Sequence, residues 1–241
     1  LIRYNGVSSD ELGFYVQPFP HDEIAELDVT SVDIPGRDGK LYKSRGHYKD
    51  VEKTYQVLAL TPTGMYSDAG DTLKTWLTSA GGGFARLEDS NDPYVYMLAR
   101  FDGPMDITNR FNVAGRCDIK FIRRGKRFLK MGDLPVTLES GGTISNPTGN
   151  RADPVIEIAG TGDVTFTLGT YVFEVTDIGG NIIIDTERQD CYYGNTNKSG
   201  VVTLTTPSLV FPALEAGTTT VSWTGSGTVT SFKITPRWWK L

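Results

Sequence analysis

The chain has 241 residues, with 24 Lys and Arg against 29 Asp and Glu, two histidines and two cysteines. That length fits one large domain or two ordinary ones with real cores, and a formal charge of -5 excludes a general binder of nucleic acid or acidic membrane. Cys117 and Cys191 form no CxxC and no disulfide scaffold, so they read as free thiols of a reducing compartment.

Strand candidates run over 53–60, 84–87, 94–101 and 116–123; in the last, Cys117, Ile119 and Phe121 alternate with Asp118 and Lys120. Between the first two lies one helix, predicted over 67–80. There Leu73, Trp76, Leu77 and Ala80 fall at i, i+3, i+4 and i+7, a single stripe of a 3.6-residue period. Ser67 or Asp68 is placed to cap it, Asp71 suits its first turn, and Gly81 suits its stop. Asn5-Gly6, Asp38-Gly39 and Asp102-Gly103 are hairpin-type turn dipeptides. The first domain, 1–132, is therefore expected to be an antiparallel β domain with one packed α-helix.

The stretch LESGGTISNPTGN at 138–150 is rich in Gly, Ser, Asn and Pro and reads as a linker, placed at 133–150. Charge changes at the same point. Residues 1–132 hold 18 basic and 18 acidic side chains and residues 133–241 hold 6 and 11, so the second part carries the whole deficit. Beyond the linker, 151–241 reads as strands alone. Val164, Phe166 and Leu168 alternate with threonines, and further strands are expected at 171–175, 182–184, 201–204, 220–223 and 227–235. Short strands at this spacing predict a two-sheet β-sandwich, making the fold class mainly β.

Residues that carry chemistry are sparse. His21 and His47 have no second ligand at metal-binding spacing, and no GxSxG elbow is present. The run Gly81-Gly82-Gly83 follows a helix rather than a strand and lacks the Gly-Lys-Ser/Thr of a phosphate loop. Asp89-Ser90-Asn91-Asp92 lacks the glycine and terminal glutamate of a calcium loop. No enzyme activity, metal or cofactor is expected. Lys120, Arg123, Arg124, Lys126, Arg127 and Lys130 put six cations into eleven residues, read as a solvated strand end or a protein contact in preference to the alternative of a polyanion contact with Phe121 and Phe128 as platforms. Tyr192, Tyr193 and Trp238 are candidate stacking groups for sugar faces, which leaves a glycan-binding module as the alternative function. No apolar run approaches the roughly 20 residues that span a bilayer, and the N-terminus has neither a basic nor an apolar leader region, so a soluble chain without an export signal is expected.

Several short motifs, in order, resemble one family. Tyr4-Asn5-Gly6-Val7-Ser8-Ser9-Asp10-Glu11-Leu12-Gly13, then Ile34-Pro35-Gly36-Arg37-Asp38-Gly39 and Lys126-Arg127-Phe128-Leu129-Lys130, look like the N-terminal domain of the siphophage distal tail proteins. Asn146-Pro147-Thr148, Pro154-Val155-Ile156, residues 180–186 and the 212–217 turn are similar to that family's C-terminal half. The resemblance covers nearly the whole chain, which lacks the large insertion that some relatives use to carry a carbohydrate-binding module.

The resemblance implies a non-enzymatic structural protein of a phage or prophage tail tip, assembled in the bacterial cytoplasm. It implies a hexameric ring built by the N-terminal domains, a C-terminal galectin-like β-sandwich, and a place between the tail tube protein and the tail-associated hub protein. The ring would be a platform for receptor-binding proteins and a passage for DNA, without sequence-specific nucleic-acid binding or membrane contact. Ring contacts are then expected at Arg37, Asp38, Arg123, Arg124, Lys126 and Arg127. Six copies at -5 each would put about -30 formal charges on one ring. The neutral first domain is therefore expected at the crowded centre and the acidic second domain outside.

Overall fold

The computed structural model describes residues 1–17, 23–60, 66–104, 107–110, 114–205 and 209–241. They divide into two compact units, Leu1–Arg127 together with Leu241, and Phe128–Lys240. Among the described residues no helix is long and apolar enough to cross a membrane.

The first unit contains strands β1 (Ile2–Tyr4), β2 (Val7–Ser8), β3 (Phe14–Val16), β4 (Leu27–Asp33), β5 (Lys40–Tyr48) and β6 (Val51–Leu60), then helix α1 (Tyr66–Thr78). Strands β7 (Ala85–Asp89), β8 (Val95–Phe101), β9 (Ile107–Arg110) and β10 (Ala114–Leu129) follow, the last ending two residues into the second unit. The main sheet runs β2-β1-β7-β8-β10-β6-β3, with β9 also paired to β10, and β4-β5 forms a separate ribbon. Asn5 and Gly6, at φ 48° and 84°, close the β1–β2 hairpin with the positive dihedrals that a two-residue loop needs. Asp102-Gly103 closes no such hairpin, because β8 pairs with β10 and the chain passes on to β9.

The apolar stripe of α1 packs on one face of this sheet. Leu73, Trp76 and Leu77 are buried with Tyr4, Phe14, Tyr55, Leu87, Met97, Ile119 and Phe121. The helix begins one residue before its predicted start and ends at Thr78, where the Gly81 N–H returns to the Thr78 carbonyl at 2.9 Å.

The second unit is two antiparallel sheets face to face. One runs β11 (Val136–Thr137), β21 (Thr228–Thr235), β13 (Val155–Thr161), β16 (Gly180–Asp185), β17 (Asp190–Tyr193), β18 (Thr196–Asn197). The other runs β12 (Thr143–Asn146), β20 (Gly217–Gly225), β14 (Val164–Leu168), β15 (Tyr171–Val175), β19 (Val202–Leu204), and β22 (Trp239–Lys240) ends the chain's strands. Ile156, Ile158, Ile182, Ile184, Phe232 and Ile234 of the first sheet meet Val164, Phe166, Phe173, Val175 and Val221 of the second, all buried. Phe166 lies 5.3 Å from Phe173 and 5.5 Å from Phe232, joining the two layers.

The segment read as a linker, 133–150, is part of this sandwich. Strand β11 pairs with β21, and β12 pairs with β20. Ile144 and Asn146 are buried, the Asn146 amide donating to the carbonyls of Asn150, Leu214 and Glu215. A strand with one apolar residue among threonine, serine and asparagine has the composition of a loop; its side-chain amide does the anchoring.

Candidate functional site

The β4–β5 ribbon is the feature of the first unit that its own core does not explain. Along β10 the inward positions Cys117, Ile119 and Phe121 continue to Arg123, only 1% exposed. Its guanidinium donates to the carbonyls of Arg124 and Gly125 at 3.2 and 3.3 Å and to that of Glu23. A side chain at Gly125 would meet the Tyr48 Cβ at 2.6 Å and the Ala25 Cβ at 3.0 Å, so the backbones approach closely here. The Lys49 N–H closes the base by donating to the Glu26 carbonyl at 2.8 Å.

Beyond this base the ribbon is largely exposed. Val29, Val32, Leu41 and Tyr42 show 40%, 51%, 50% and 69% of their surface, in register as Val32–Leu41 and Ser31–Tyr42. A two-stranded ribbon is marginal in water on its own, and among the described residues its apolar side chains take no part in this unit's core. Arg37 and Asp38 sit at its exposed tip, in the loop after β4. Polar pairs run along it: Asp28 lies 3.4 Å from Arg45 and 3.3 Å from the His47 imidazole, and Lys40 pairs with Asp33 at 3.6 Å next to the tip. His21 lies outside the described residues.

The basic stretch is not one surface. Arg123 is buried and serves the ribbon's base, so it is removed from the exposed ring contacts expected from sequence. Three backbone carbonyls accept from its two terminal nitrogens, and that is how a charge occupies an inward strand position. Arg124 is exposed and lies over the Phe84 ring at 4.9 Å. Lys126 and Arg127 are half-buried; Arg127 pairs with Asp92 at 3.7 Å and donates to the Leu241 carbonyl. Arg123→Ala is expected to loosen the ribbon's base and destabilise the first unit by about 1–3 kcal/mol. Urea unfolding reads the loss, and faster amide exchange at Ala25 and Lys49 reads its place.

In the second unit the three aromatic candidates separate. Tyr193 is 48% exposed and Tyr192 half-buried, but Trp238 is only 3% exposed and belongs to the core. Trp239 is buried as well, its indole N–H donating to the Arg151 carbonyl at 2.8 Å. Backbone bonds hold the same segment: the Leu129 N–H donates to the Trp238 carbonyl at 2.8 Å and the Arg237 N–H to the Gly132 carbonyl at 2.9 Å. Trp238 is thus withdrawn from any sugar contact.

Among the described residues no three His, Cys, Asp or Glu side chains are grouped to hold a metal. Cys117 and Cys191 are buried, and burial, with a smaller contribution from Asp118 and Asp190, pushes each thiol up to about 11. Neither is a thiolate at neutral pH.

No protein-family model matches the chain, and a comparison with curated proteins gives no match. Among solved structures, the Dit protein of phage SPP1 is similar over 100% of this chain and 98% of its own, with a TM-score of 0.72 at 12% identity. That protein is described as a paradigm of the hub adsorption apparatus in phages infecting Gram-positive bacteria. The phage P2 baseplate in its activated conformation, with calcium or with strontium, matches over 92% of this chain and 90% of its own at 11% identity, with a TM-score of 0.47. The first of these likenesses establishes a shared fold across both units.

Proposed function

We propose that this protein is a non-enzymatic structural component of a phage tail tip, a distal tail protein whose first unit builds a hexameric ring. The observation that carries the reading is the match to the SPP1 Dit fold along the full length of both chains. The uncovered β4–β5 ribbon supports it, because a ring is built from a heterologous contact that closes, and an apolar ribbon on one copy needs a receiving surface on the next. In this role the ring joins the tail tube to the tail-associated hub and offers receptor-binding proteins a platform at the virion's tail tip. The exposed tip residues Arg37 and Asp38 and the exposed Arg124 are the charged groups proposed to meet a neighbouring copy, with Lys126 and Arg127 at their margin.

Negative-stain electron microscopy and analytical ultracentrifugation over a concentration series test this. Six-fold rings, or a hexamer that grows with concentration, are expected. The paired substitution Val32→Asp and Tyr42→Asp should lower assembly about tenfold or more without shifting the unfolding midpoint, since these side chains are exposed. Arg124→Glu should weaken it less. A different symmetry, or rings untouched by the ribbon substitutions, overturns the reading.

A further inference from the structure

Four exposed side chains of the first unit carry charge that no neighbour offsets. Among the described residues, no hydrogen bond or ion pair engages the side chains of Arg37, Asp38, Arg116 or Asp118. They form two pairs of opposite sign at two separate places.

The first pair stands at the tip of the β4–β5 ribbon. Pro35 and Gly36, the latter at φ 78°, are the central residues of a turn closed by the Arg37 N–H on the Ile34 carbonyl at 3.2 Å, and Gly39 at φ 83° leads back into β5. Proline second and a left-handed glycine third fit a type II turn, so the tip holds Arg37 and Asp38 side by side before any partner arrives.

The second pair lies in an open groove of about 550 Å³ where β10 changes neighbours. Just past the end of β8 the Asp102 N–H donates to the Lys120 carbonyl at 2.8 Å, and from Cys117 back to Ala114 the partner is β9. Asp102, Gly103 and Pro104 line the groove together with Arg116, Asp118 and Lys120 of β10. Two of these charges are already taken, Asp102 by Arg100 at 3.3 Å and Lys120 by Glu52 at 3.5 Å. Arg116 and Asp118 face uncharged cross-strand partners on β6, Leu58 and Gln56. Two residues along one strand sets them about 7 Å apart on one face.

We propose that this groove receives the ribbon tip of a second copy of the chain, Arg37 pairing with Asp118 and Asp38 with Arg116. The proposal rests on the ring reading and gives its contact a donor and an acceptor surface. No tip residue lines the groove of its own chain. Seven positions of β10 separate Asp118 from Gly125 at the ribbon's neck, about 23 Å at the rise of a strand. Donor and acceptor are thus different surfaces, as a contact that repeats around a ring requires. A small ion gains little from a slot of mixed sign. A partner that carries both signs in order gains two charge-assisted contacts, and one bound the wrong way round meets like charges.

Sedimentation velocity and negative-stain microscopy of the full chain, over a concentration series, test the pairing by charge exchange. Arg37→Asp and Asp118→Arg should each weaken self-association about tenfold, and the two together should recover it to within about threefold of wild type. Asp38→Arg with Arg116→Asp should behave alike. All four positions are exposed, so the urea midpoint of every variant should stay at the wild-type value. Double reversals no better than the product of their single losses overturn the proposal. So does self-association indifferent to Arg116 and Asp118, which would leave the groove to a different protein, and so does a chain that stays monomeric up to about 1 mM. Stoichiometry is read separately: rescue in a species that is not six-fold keeps the pairing and removes the ring, and six-fold rings without rescue do the reverse.

Discussion

Trp76→Ala is expected to lower the unfolding free energy of the first unit by about 3–5 kcal/mol. The indole is 4% exposed, lies edge-on to Tyr4 at 6.4 Å and parallel to Phe14 at 6.3 Å, and donates its N–H to the Tyr4 carbonyl at 3.2 Å. Truncation removes this apolar area, opens a cavity under α1 and takes the donor from a buried carbonyl. The helix has 13 residues, a length that is marginal on its own in water, so it persists through its packed stripe. Urea unfolding followed by near-ultraviolet circular dichroism measures the loss. Trp76→Phe keeps most of the area and should lose about 1–2 kcal/mol. A change below about 1 kcal/mol in the alanine variant would mean that the helix does not depend on this contact.

The second unit has its counterpart in an ion pair. Asp185, at the end of β16 and 2% exposed, accepts a two-pronged bond from Arg237 at 2.8 and 3.0 Å and a backbone bond from the Arg188 N–H at 3.2 Å. Burial opposes ionisation of this carboxyl, but those bonds and the Arg237 and Arg188 charges outweigh it, holding the group below the usual carboxylate value. Arg237→Ala leaves a buried carboxylate without its main partner, a loss of about 3–5 kcal/mol at neutral pH. Arg237→Lys keeps charge without the fork and should fall between. The sign of the pH dependence follows. A depressed folded-state pKa contributes stability that is present above the unfolded value of 3.8 and lost as pH falls through the lower folded value. The gap between wild type and Arg237→Ala should be full at neutral pH and shrink as the pH falls through the carboxylate range, because without Arg237 burial favours the protonated Asp185, as urea unfolding at several pH values will show. A gap independent of pH would remove the Asp185 charge as its source.

Periodic apolar patterns were readable in the chain. The spacing of Leu73, Trp76 and Leu77 marked the helix, and the alternation through Phe121 marked β10, as Val164, Phe166 and Leu168 marked β14. Failures occurred where a polar group does work that apolar residues do elsewhere. Arg123 looks like surface because composition does not show that Glu23, a hundred residues earlier, supplies a carbonyl for its guanidinium. Strand β12 looks like a linker because Asn146, rather than an aliphatic side chain, ties it down. Trp238 and Trp239 are adjacent, and alternation would expose one; both are buried because the Arg151 carbonyl satisfies the second indole.

The β4–β5 ribbon also bears on how such a subunit changes over time. Trp76, Tyr4 and Phe14 cannot vary without the whole unit loosening, whereas Val32, Leu41 and Tyr42 answer to no other part of the same core. In the proposed ring, selection for a chain that folds and selection for a chain that recognises its own kind would thus fall on separate residues. A ribbon exchanged between two related proteins at the narrow neck formed by Arg123 and Gly125 would carry its choice of neighbour with it and leave the recipient's folding intact.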